Sequence, residues 1–138
     1  MLQDQLTHAI WKGDVTLVCT LLARGASPNE VDLRGWTPLM QAAEMENTEI
    51  IEVLLSNGGD PNLAGYEGTT PLHVAVDIAI DGTIQTGGSP GDEPVSIIQR
   101  LLAAGANIES RDQRGETPLD LARAYRSNRV IATLLGQV

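Results

Sequence analysis

The sequence has no phenylalanine, only two tryptophans and two tyrosines, and a single cysteine. Each shortage excludes something. With so few rings, the core has to be built from Leu, Ile, Val and Ala, which suits closely packed helices. One thiol, Cys19, forbids an internal disulfide and favours a reducing compartment. Basic side chains are also scarce: 9 Lys and Arg stand against 18 Asp and Glu, for a formal net charge of −9. That sign argues against nucleic acid, whose phosphates are bound by Lys and Arg displacing counterions. It disfavours an anionic membrane surface as well. No run approaches the roughly 18 apolar residues that would span a bilayer. The first residues, Met1 to Gln5, have no basic region leading into an apolar stretch, so no signal peptide is expected. A cytoplasmic location follows as the expectation. What remains is 138 residues, 42% hydrophobic, enough for one folded domain with a real core.

What is present is a repeat. Leu-Leu pairs stand at 21/22, 54/55, 101/102 and 134/135, and Gly25, Gly58 and Gly105 follow the first three. Thr-Pro-Leu occurs at 37–39, 70–72 and 117–119, each preceded by a glycine at Gly35, Gly68 or Gly115. All three markers step by 33 and then by 47, so a 14-residue insertion lies in the third unit. The local chemistry reads the same way each time. Thr37, Thr70 and Thr117 are placed to cap a helix, with Pro at its first position. A short helix follows, marked by Leu39, Ala42 and Ala43, whose small alanines permit close approach. Glu46, Asn47 and Thr48 make a turn, and a second helix carries Ile50, Ile51, Leu54 and Leu55 at helical period. Gly58 closes it as a left-handed cap. The segment 60–68 is a Gly-, Pro- and Asn-rich loop with a tight turn.

These residues resemble the ankyrin repeat, whose Thr-Pro-Leu-His-x-Ala signature stands here as Thr70-Pro71-Leu72-His73-Val74-Ala75. The Leu-Leu-x-x-Gly-Ala ending stands at 21–26 and 101–106. The resemblance covers essentially the whole chain. It implies an all-α solenoid of four helix-turn-helix units with short hairpin-like loops, in one domain over 1–138. The expected units are 1–29, 30–62, 63–109 and 110–138, the first and last acting as caps. The insertion, 79–92, falls between the two helices of the third unit. It is either a tolerated surface loop or a specificity element that touches a partner. Asp92 or Glu93 is expected to cap the helix after it. Its Gly-Gly-Ser-Pro-Gly run lacks the Gly-Lys-Ser/Thr ending of a phosphate cradle.

Chemistry has little to work with. The resemblance implies that His73 hydrogen-bonds backbone between units, and His8 has no companion at a useful spacing. Cys19 is expected to be an inert, at least half-buried thiol. Two histidines and one cysteine on separate units make no metal set, and acidic pairs such as Glu44 with Glu46 lack the dense oxygen-ligand loop of a calcium site. No catalytic, cofactor or metal residue is expected, and the chain is not read as an enzyme.

Binding has more support. The resemblance implies contact through hairpin tips and the exposed side of the first helices, which line a concave face. By position these are Leu33, Arg34 and Trp36, then Tyr66 and Glu67, then Arg111 and Arg114 at the tips. On the helices they are Trp11 and Lys12, Glu44 and Met45, Asp77 and Ile78, and Tyr125. All four aromatics, Trp11, Trp36, Tyr66 and Tyr125, fall on positions that the family leaves variable, and such rings supply most interface hot spots. Gly65, where the family commonly has Asp, is expected to loosen its hairpin. The acidic surface suits a protein partner with a basic contact patch. Small, acidic ankyrin-like proteins are similar to bacterial immunity proteins that neutralise a basic toxin, so an inhibitor or antidote is the expected role. The alternatives are a passive adaptor, and a ligand-binding protein or enzyme that uses 79–92.

Overall fold

The computed structural model describes residues 2–86 and 95–136. Among these it is all helical, without a strand. The helices are α1 (Leu2–Lys12), α2 (Val15–Ala23), α3 (Pro38–Glu44), α4 (Thr48–Ser56), α5 (Pro71–Thr86), α6 (Ser96–Ala103), α7 (Pro118–Ala124) and α8 (Asn128–Leu134). Their starts are the ones the caps dictate. Thr37 accepts a hydrogen bond from the amide of Met40 at 3.2 Å, with Pro38 beginning the helix. Thr117 and Asp120 close a reciprocal capping box. Asp14, Asn47 and Ser127 cap the second helices of their pairs in the same manner. The turn within the first, second and fourth pairs passes through a left-handed residue, Gly13, Glu46 and Arg126, at φ of 72°, 54° and 55°. Two of these three are not glycine, at a cost of roughly 1–2 kcal/mol each.

The helices form two layers. In the inner row α1 packs on α3, α3 on α5 and α5 on α7, and each inner helix packs on its own outer partner, α2, α4, α6 or α8. Outside, α2 packs on α4 and α6 on α8. Between α4 and α6 lies instead a cleft of about 580 Å³, edged by an ion pair between Glu52 and Arg100. The core divides at the same place. One cluster joins Leu6, Ile10, Leu21, Leu39, Ile50 and Leu54, and another joins Leu72, Val76, Ile98, Leu101, Val130 and Leu134. A narrow waist of Met40, Ala43 and Val74 lies between them.

Three expectations need correction. Cys19 is exposed, because Val18, Leu21 and Leu22 take the core positions of α2 and leave it to one side of that face. The helix after the insertion starts at Ser96 with Val95 at its cap and no side-chain cap bond; Asp92 and Glu93 lie outside the described residues. Gly65 does not loosen its hairpin. A Cβ there would stand 1.9 Å from the carbonyl oxygen of Gly35, so only glycine permits this approach of one hairpin to the next. Of the insertion 79–92, residues 79–86 continue α5, and 87–92 lie outside the described residues.

Candidate protein-binding face

Three hairpins project beside the inner row, closed by the same bond: the amides of Asp32, Gly65 and Asp112 donate to the carbonyls of Trp36, Thr69 and Glu116, each at 2.9 Å. The carboxylates of Asp32 and Asp112 pin the first and third turns from within, each accepting two backbone amides. The tips are also tied to one another. Tyr66 donates its amide to Gly35 at 2.9 Å, and Gln113 donates to Glu67 at 2.7 Å. The hairpins therefore form a connected rail, which spacing in the sequence did not reveal.

Between this rail and the inner helices runs a groove of about 800 Å³. Trp36, Val74, Ile78 and Leu121 supply its apolar wall, and the acidic residues Glu44, Glu67, Asp77, Asp112 and Glu116 line it against a single arginine, Arg114. The Asp77 carboxyl is raised above its ordinary range, chiefly by desolvation and then by the charge of Asp81. His73 also lines the groove, but both ring nitrogens are engaged. Nδ1 accepts from the Thr70 amide at 3.2 Å, and Nε2 lies 2.8 Å from the Glu116 carbonyl, so Nε2 carries the proton and donates across to the next unit. Ala79, Ile80 and Asp81 do not line the groove, and among the described residues no three His, Cys, Asp or Glu side chains group to hold a metal ion.

The structure separates the predicted contact residues into four sets. Trp36, Glu44, Glu67, Asp77, Ile78 and Arg114 meet at the groove. Leu33 is wholly exposed at 102% and Tyr66 is 62% exposed, both on the hairpin rail. Lys12, Met45, Arg111 and Tyr125 are exposed but line no part of the groove. Trp11 and Trp36 are only half-exposed, for a reason the sequence did not disclose: the Arg34 guanidinium lies between them, 4.9 Å from one ring centre and 4.8 Å from the other. Trp36 also packs on the waist of Met40, Ala43 and Val74. A periodic signal assigns each of these residues to a place in its unit. It carries no information on which neighbour fills the space beside it.

The helical pairs, the hairpin rail and the inter-unit histidine together describe a repeat array. "Ankyrin repeats (3 copies)" matches residues 6–80 and "Ankyrin repeat" matches residues 67–113. The chain belongs to the ankyrin-repeat family, whose repeats generally mediate protein–protein interaction and are typically not catalytic. It is similar to "Ankyrin repeat, SAM and basic leucine zipper domain-containing protein 1" of Nomascus leucogenys and of Gorilla gorilla gorilla, at 41% identity over 51 residues. The likeness to the protein of that name from Colobus guereza is 39%. In each case the match takes in 37% of this chain and 11% of the relative. No helix among the described residues is long and apolar enough to cross a membrane.

Proposed function

We propose that the chain holds a protein partner in its acidic groove and along the hairpin rail, and that the partner presents a basic surface there. One observation carries the reading: five carboxyl-bearing residues share the groove with a single arginine and an apolar wall. Opposite charge steers encounter and fixes orientation, while exposed Leu33 and Tyr66 offer apolar anchors at the rail. The reading takes the chain as four units over 1–138, bounded at 1–29, 30–62, 63–109 and 110–138. Occupying a basic surface blocks it, so the finer proposal is an inhibitor or antidote of a basic toxin or enzyme, acting in the cytoplasm. It excludes nucleic acid and membrane as partners on the same charge argument.

The test is a capture experiment with three versions of the protein. Asp77→Lys combined with Glu67→Lys reverses charge in the groove, and Glu49→Lys changes an exposed residue of α4 on the outer layer as a control. Wild type and the control are expected to retain the same basic protein, with affinity that falls as salt rises. The groove variant is expected to lose it by at least about tenfold, the equivalent of 1.4 kcal/mol. Equal retention by all three would sink the reading. Inhibition of the captured protein's own activity separates an inhibitor from a passive adaptor.

A further inference from the structure

Arg34 is held in an unusual way for a residue at a loop tip. Its guanidinium lies against both tryptophans of the chain, Trp11 from the end of α1 and Trp36 from its own hairpin. Two carboxylates attend it, Asp32 at 3.6 Å and Glu44 at 3.9 Å. Both separations are longer than the roughly 2.7–2.9 Å of a charge-assisted hydrogen bond. Stacking and attraction at a distance hold the group, and none of its donors is spent on either acid. The side chain stays half open to solvent, 50% exposed.

Glu44 completes the picture from the other side. Its Oε2 is buried and accepts no hydrogen bond. A buried acceptor left unmet is costly, more so when it is charged. Two indole rings that both hold one guanidinium, at 4.9 and 4.8 Å from their centres, and a nearby buried carboxylate oxygen without a hydrogen bond suit a guanidinium site. Arg34 occupies it and stays 3.9 Å from that oxygen. A second arginine entering from the groove, where Glu44 and Trp36 both stand, would make the same stacking contacts and also donate to Glu44.

We infer that the Trp11–Trp36 slot receives an arginine side chain of the protein partner, and that Arg34 is a resident placeholder displaced on binding. The inference rests on the groove being the partner's seat and names the side chain that enters it. The placeholder keeps two tryptophans and a carboxylate from standing exposed together while the groove is empty. It also sets a threshold: a cation that cannot bond Glu44 gains nothing by exchanging with Arg34.

The consequence runs against the simpler view of Arg34 as a contact residue. Its removal should strengthen binding of a cation. The probe is a blocked pentapeptide with one arginine among glycines, followed by tryptophan fluorescence, which reports only on this slot because both tryptophans line it. Arg34→Ala is expected to bind the peptide about tenfold tighter than wild type, the scale of one desolvated cation–π contact. Adding Glu44→Gln is expected to abolish the gain. The same peptide with uncharged citrulline in place of arginine should not bind, and a lysine peptide should bind more weakly than the arginine one. Circular dichroism checks the fold, and Arg34→Ser repeats the vacancy if alanine disturbs the Asp32 turn. Equal or weaker binding by both vacated variants overturns the inference, as does equal binding of citrulline or lysine. Either result leaves the capture experiment unaffected, so the slot falls without the groove.

Discussion

In the folded protein the carboxyl of Asp77 meets partial desolvation and the charge of Asp81, and both push it toward the protonated form. The unfolded chain removes the desolvation. Between the unfolded and folded values the native state therefore binds more protons, so stability falls as pH rises through that window. The penalty is fully present at neutral pH and is relieved when the group protonates. Asp77→Asn should accordingly melt higher than wild type at neutral pH, with the difference closing as pH drops below the ordinary carboxylate range of about 4. Thermal melts at the two ends check this, and an unchanged melting temperature at neutral pH would show that the groove does not strain this acid. Residues at this scale were half legible in the sequence. The register placed Trp36, Tyr66 and Asp77 on the variable positions of their units. It did not show that Arg34 bridges Trp11 and Trp36, since those side chains come from different units and no spacing rule links them. Gly65 was misread for a related reason: a departure from the family pattern looks like a loss until the neighbouring Gly35 carbonyl is seen against it.

Helices were the most legible elements, because their punctuation is chemical. Thr-Pro opens the inner helices α3, α5 and α7, and Gly25, Gly58 and Gly105 close outer ones at φ of 106°, 91° and 97°. The second helix of the third unit turns Ile98 and Leu101 fully inward. Leu101→Ala should cost about 2–5 kcal/mol, read from the urea midpoint, because it removes a fully enclosed side chain from a helix only two turns long. A cost below about 1 kcal/mol would mean that the C-terminal cluster collapses onto the vacancy. The end of α5 was less legible. The inner helices α3 and α7 stop after seven residues and α1 after 11, whereas α5 runs for 16. Gly82 lies inside it, a placement that costs about 1 kcal/mol relative to alanine and that reads in sequence as a place to stop.

Across the molecule, loop asparagines stitch the units together in a way no motif announced. Asn29 donates to the Gly58 carbonyl and accepts from the Asp60 amide, at 3.0 and 2.8 Å. Asn62, one repeat later, does the same to Gly105 and Asn107 at 3.0 and 2.7 Å. Each side chain fastens one loop to the next. Asn62→Ala should lower stability by about 1–2 kcal/mol, the sum of two modest bonds, and should broaden the urea transition because neighbouring units are less tightly coupled. A transition as sharp as that of wild type would show that the helices alone carry the cooperativity.

The narrowed join at Met40, Ala43 and Val74 has a geometric corollary. In an evenly packed array, curvature accumulates in small equal increments from one unit to the next. Here the packing is uneven: both layers are continuous within each half, whereas across the middle the inner row packs closely and the outer helices α4 and α6 are parted by a cleft, with Ile97 of α6 touching both clusters. Trp36 packs against that joint and also lines the groove, so a substitution that repacks the joint acts directly on the groove wall.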